Sequence, residues 1–198
     1  MHHRFVEPSK GRILIDGVDV NQVPFEKLRK SLAIVPQDPT LFTGTLRENL
    51  DPYGQLSDSE IWTALEKVYM RDVIASYPSR LEMDVGERGG SFSIGQRQLL
   101  CLARALLRNA RIVIMDEATS SIDRDTDALI QQTLRDCVKN ATVVTIAHRL
   151  ETIMEYDRVI VMAEGRIVEN GPPKLLARQE GSEFAQMVSI SGMDLDTL

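Results

Sequence analysis

The chain has 198 residues, 43% of them hydrophobic and 26% charged, with a formal net charge of -6. That length suits one domain with a sizeable core, and an acidic balance with scattered Lys and Arg excludes a general nucleic-acid binder. No stretch reaches the roughly 18 consecutive apolar residues of a membrane-spanning helix, and Met1-His2-His3-Arg4 is not followed by the apolar region of a signal peptide.

Arg12 to Gly17 reads as a short strand ending at a turn, and Leu32-Ala33-Ile34-Val35 as a second strand. Pro36 and Pro39 bracket Gln37-Asp38 and make that segment a loop. Thr43 to Gln55 holds two glycines and a proline and is expected to be irregular. Ser57 and Glu60 have the spacing of a capping box; Ile61, Leu65 and Val68 follow at helical intervals. Val85 to Gly90 is glycine-rich. From Ser93 a long helix is predicted through Leu107, with Leu99, Leu102, Ala103 and Leu106 on one side.

Ile112-Val113-Ile114-Met115 is a continuous apolar run, as in a central strand of a parallel sheet. Asp125 to Val138 is helical by pattern, and Thr142 to Ile146 is the next buried strand. Arg158–Met162 and Arg166–Glu169 flank Ala163-Glu164-Gly165, a hairpin signal. Pro172-Pro173 leads into a short helix around Leu175-Leu176, and the polar stretch from Ser189 is expected to fray. Cys101 and Cys137 lie in apolar helical stretches and read as reduced core thiols, which suits a reducing compartment. Strands alternating with helices predict an α/β fold with a parallel sheet, whose ligands sit at the carboxyl ends of the strands.

Four places carry candidate chemistry. Asp116-Glu117 follows the apolar run directly: a carboxylate there could hold Mg²⁺ while its neighbour orients water, or the pair could simply begin a turn. His148 follows Ile146 by two positions and could donate to a phosphate oxygen or to a backbone carbonyl. Ser93, Gly95 and Gln96 at a helix start could converge on an anion, or Ser93 could be a plain cap. Gln37 could position water, or be an ordinary exposed glutamine.

Taken together and in this order, these segments resemble the ATP-binding cassette of ABC transporters. Phe92 to Gln98 resembles the signature motif, with Ile94 where glycine is commonest. Ile112 to Glu117 resembles Walker B, Ser121-Ile122-Asp123 the D-loop, Gln37 the Q-loop glutamine and His148 the switch histidine. Phe92 to Gln96, Ala118 to Asp123 and Ala147 to Leu150 resemble the second nucleotide-binding domain of the C subfamily, the multidrug-resistance-associated pumps. Val85 to Gly89 resembles the exporter loop that touches the membrane domain.

The resemblance implies the P-loop NTPase fold: a parallel-sheet core with a helical subdomain over about 43–108, a catalytic core over about 109–178 and a tail over about 179–198, truncated at the N-terminus. It implies ATP and Mg²⁺ as ligands, a second nucleotide-binding domain in a head-to-tail sandwich, and membrane-spanning domains as partners. The location implied is the cytoplasmic face of a membrane. Asp116 and Gln37 would contact Mg²⁺; Glu117 would act as base, His148 would stabilise the γ-phosphate, and Gln37 would relay the state of the site. Ser93, Gly95 and Gln96 would bind ATP held by the opposite domain, and Asp123 would line the interface.

The chain contains no Gly-x-x-x-x-Gly-Lys-Ser/Thr, the Walker A loop of the family; Phe5 to Gly11 resembles the segment just after it. Two expectations follow: weak or no ATP binding by this chain alone, and poor solubility or dependence on a partner from a bare apolar edge at Ile112 to Met115. The alternatives to a motor fragment are a non-catalytic partner that lends its signature half-site, and a fragment without function.

Overall fold

The computed structural model of the chain describes residues 10–116, 123–138, 140–147 and 149–194. Strands β1 (Leu14–Ile15) and β2 (Val18–Asp19) make a small antiparallel hairpin around Asp16 and Gly17, both at positive φ. Helix α1 (Phe25–Ser31) runs directly into β3 (Leu32–Val35), which stops at Pro36, a residue with no N–H for a ladder.

The stretch expected to be irregular contains α2 (Leu46–Leu50). Its signal was another capping box: Thr45 Oγ1 accepts from the Glu48 amide at 3.1 Å, and Glu48 Oε2 accepts from the Thr45 amide at 2.9 Å. Gly44 precedes it at φ +134, and a Cβ there would lie 2.4 Å from that same Oε2. Leu46 and Leu50 anchor the short helix in the core.

Helix α3 (Asp58–Lys67) begins at the expected Ser57–Glu60 box, and α4 (Arg71–Ala75) follows. Helix α5 (Ile94–Leu107) departs from its expected one-sided stripe. Leu99, Leu100, Leu102 and Ala103 are all buried, because α5 packs against α2, α3, β3 and α6 and has apolar neighbours around most of its circumference.

Strands β4 (Ile112–Asp116) and β5 (Thr142–Ile146) flank α6 (Arg124–Cys137). The sheet order is β3-β4-β5, all parallel. This corrects one expectation: β4 is paired along both edges, so Ile112 to Met115 offers no bare edge. The open edges among the described residues belong to β3 and β5. What is bare is a face. Val35, Val113 and Met115 point into the core, whereas Ile34 is 63%, Val144 50% and Ile146 57% exposed on the other side.

Beyond α7 (Leu150–Ile153), strands β6 (Val159–Ala163) and β7 (Arg166–Gly171) form the expected hairpin, turning at Glu164 and Gly165. Helices α8 (Pro173–Leu176) and α9 (Glu183–Ser191) pack on it. Helix α9 carries the chain in order past Ser189, where fraying was expected, because Phe184 and Val188 bury themselves against Met154, Val161 and Leu176. These form a second, smaller core, separate from the main one. Cys101 and Cys137 are both free thiols; burial pushes the Cys101 thiol up. Among the described residues, no helix is long and apolar enough to cross a membrane.

Candidate functional site

Parallel register puts Val35, Met115 and Thr145 in one row across the sheet. Everything just past that row leaves at the carboxyl end of the strands, where α/β sheets bind ligands. Gln37 lies two residues beyond Val35 and is exposed, with no side-chain hydrogen bond to any described residue. Asp116 ends β4, half-buried, opposite Ile146. Ala147 then leads toward His148. Glu117 and His148 lie outside the described residues, as do Ala118 to Ile122.

Two contacts hold the β5 end of this row. Thr145 Oγ1 and Tyr156 Oη are hydrogen-bonded at 2.7 Å. Arg149 Nη1 pairs with Asp127 Oδ2 at 2.6 Å, joining the segment after position 148 to the second turn of α6. Asp123 caps that helix: its carboxylate accepts from the Thr126 amide at 2.9 Å, and this bond holds its pKa below the usual range.

The second group is at the start of α5. Ser93 Oγ accepts from the Gln96 amide at 3.2 Å while Gln96 Oε1 accepts from the Ser93 amide at 3.0 Å. Ser93 is thus a helix cap, and it remains exposed; Gly95 is buried within the first turn. No described hydrogen bond joins Ser93, Gly95 or Gln96 to Gln37 or Asp116. The start of α5 does meet the Gln37 loop, through Arg97, which bonds Asp38 and Pro39.

A family model described as ABC transporter matches residues 2–120, more than half of the chain. The chain belongs to the ABC transporter family. It is 50% identical over 185 residues to ABC transporter C family member 1 of Dictyostelium discoideum, covering 93% of this chain and 14% of that protein. Multidrug resistance protein mrp-7 of Caenorhabditis elegans is 50% identical over 186 residues, 94% of this chain and 12% of that one. Mouse ATP-binding cassette sub-family C member 10 is 50% identical over 188 residues, again 12% of its length. The chain therefore spans only 12–14% of the length of these curated relatives. A solved bacterial Atm1-family ABC exporter with ATP bound superposes with a TM-score of 0.86 at 38% identity, over 96% of this chain and 33% of that one.

Within this ABC transporter chain, two arginines inside the quoted motifs, Arg97 and Arg149, were given no role of their own by sequence reasoning. Arg97 stands four residues after Ser93, and Asp127, the partner of Arg149, four after Asp123. One helical turn separates each from a motif residue already singled out, and that spacing was the available signal.

Proposed function

We propose that this chain is part of the second nucleotide-binding domain of a C-subfamily ABC exporter, on the cytoplasmic face of a membrane, where ATP hydrolysis drives transport. The observation that carries the reading is the shared carboxyl end of β3, β4 and β5, from which Gln37, Asp116 and the segment leading to His148 all emerge. The relatives, multidrug-resistance and C-family proteins, support the exporter class.

Asp116 offers a carboxylate and Gln37 an amide oxygen, the hard donors that suit Mg²⁺. Such an ion would neutralise phosphate charge. Glu117 then orients and deprotonates the attacking water, and His148 donates to the γ-phosphate as charge moves onto its oxygens. Ser93, Gly95 and Gln96 present the start of α5 to ATP held by a second nucleotide-binding domain, with Asp123 at the interface. Catalysis of this kind is positioning and charge stabilisation.

Because these 198 residues contain no Walker A sequence, the chain alone is expected to bind ATP weakly or not at all. Micromolar affinity for the isolated chain would overturn that expectation. In the full-length exporter, Glu117→Gln should slow MgATP turnover by about a hundredfold or more while ATP still binds. Native turnover by that variant would refute the catalytic reading. It would favour the second one, a partner that lends only its signature half-site, for which the exposed Ser93 at the start of α5 is the support.

A further inference from the structure

Two segments far apart in sequence, the Gln37 loop and the stretch that leads into α5, meet at the guanidinium of Arg97. Its Nε donates to the Pro39 carbonyl at 2.8 Å, Nη1 to the Phe92 carbonyl at 3.1 Å, and Nη2 to Asp38 Oδ1 at 3.1 Å. This differs from an ordinary surface ion pair. The Asp38 side chain is 80% exposed, but that of Arg97 is only 16% exposed, and two of its partners are backbone carbonyls. Its stem passes so close to Gly89, at φ +79, that a Cβ there would sit 2.9 Å from Arg97 Cδ and 3.0 Å from Leu41 Cγ. One side chain therefore touches the Gln37 loop, the glycine-rich turn and the residue before Ser93.

We propose that Arg97 is a positioning residue for ATP hydrolysis, fixing Gln37 relative to the start of α5 so that the two move as one body. The proposal rests on the assignment of Gln37 and Ser93 made above. Exposed and without a described hydrogen bond of its own, Gln37 takes its place from its neighbours. Asp38 and Pro39, the next two residues, are both held by Arg97. A planar fork with donors at fixed angles accepts one arrangement of two carbonyls and a carboxylate. Lysine could keep the charge pair with Asp38 but not all three bonds at once.

The test is MgATP turnover by the full-length exporter carrying Arg97→Gln, Gln37→Ala or both, with Arg97→Lys alongside. Arg97→Gln should slow turnover by about tenfold or more through misplacement of Gln37, and Lys should restore only part of it. Since Arg97 acts through Gln37, the double variant should be no slower than the slower single variant. Losses that multiply in the double variant would overturn the proposal. Amide exchange on the same proteins separates positioning from general support. Arg97→Gln should speed exchange about tenfold at residues 37–42 and leave the middle of α5 unchanged. Equal acceleration throughout α5 would show that Arg97 merely holds the fold, against the proposal. A native rate for Gln37→Ala would overturn the proposal together with the site assignment beneath it. Failure of the Arg97 role alone has a different sign: Gln37→Ala slow, Arg97→Gln native.

Discussion

The helices around α5 and the three-stranded sheet beside them both contribute to the main core, yet they end differently. The helical region closes on itself: Leu46, Leu50, Ile61, Leu65 and Leu100 are all buried, and polar side chains complete the shell. Arg104 donates to both the carbonyl and the side-chain oxygen of Asn49, which in turn binds the backbone of Phe42 and Thr45. The sheet buries Val35, Val113 and Met115 on one face, and among the described residues Ile34, Val144 and Ile146 are exposed on the other. A helix can bury its stripe against neighbouring helices, but a parallel sheet needs a layer on each side. Stability in the described chain should therefore be concentrated in the helical region.

The sharpest break of that comparison is a pair of substitutions. Leu100→Ala should cost about 2–5 kcal/mol in urea denaturation, whereas Ile146→Thr on the bare face should change stability by less than about 0.5 kcal/mol and reduce binding of a hydrophobic dye. Similar losses from both would show that the face is packed after all. Next in size, Arg104→Met removes a charged donor from Asn49 and should cost about 2 kcal/mol in the same assay; an unchanged midpoint would mean that the network contributes nothing net. Thr45→Ala should cost about 1 kcal/mol through the lost cap, read as faster amide exchange confined to α2.

The smallest effect belongs to the second core. Glu169 accepts from the amides of Phe184 and Glu183 and from the Ser182 hydroxyl at the start of α9. The Phe184 bond is the largest reason its pKa falls below the ordinary 4.5, so its contribution is present above that value and is lost as pH drops through the lower folded value. Protection of α9 amides should decline in that acid window, and Glu169→Gln should flatten the decline. A pH profile identical to the native one would assign the loss to other groups.

The sequence was most legible where chemistry is local. The cap at Ser57, the strand Leu32 to Val35, the strand Thr142 to Ile146 and the hairpin turn at Gly165 all follow from residues within a few positions of one another, but Thr142 to Ile146 is not the buried strand expected: its outward side chains are exposed on the uncovered face of the sheet. The short helix α2 was legible too, through Thr45 and Glu48, but the glycines and proline around it outweighed that signal. The motif residues announced themselves by order and spacing, and their roles as site residues stand as proposed.

What the sequence determined by itself was the main strands, the helices α3, α5 and α6, their alternation and the motifs at their ends, because these depend on neighbours along the chain. The apolar run Ile112 to Met115 already pointed to a central strand; the tertiary structure alone decided that β3 and β5 are its neighbours, which leaves the open edges among the described residues to those two. It decided that α5 is buried nearly all round, and that Arg97 ties the Gln37 loop to the start of that helix across an interval of 58 residues. Strand order and long-range clamps depend on contacts between residues remote in sequence, for which local pattern carries no signal.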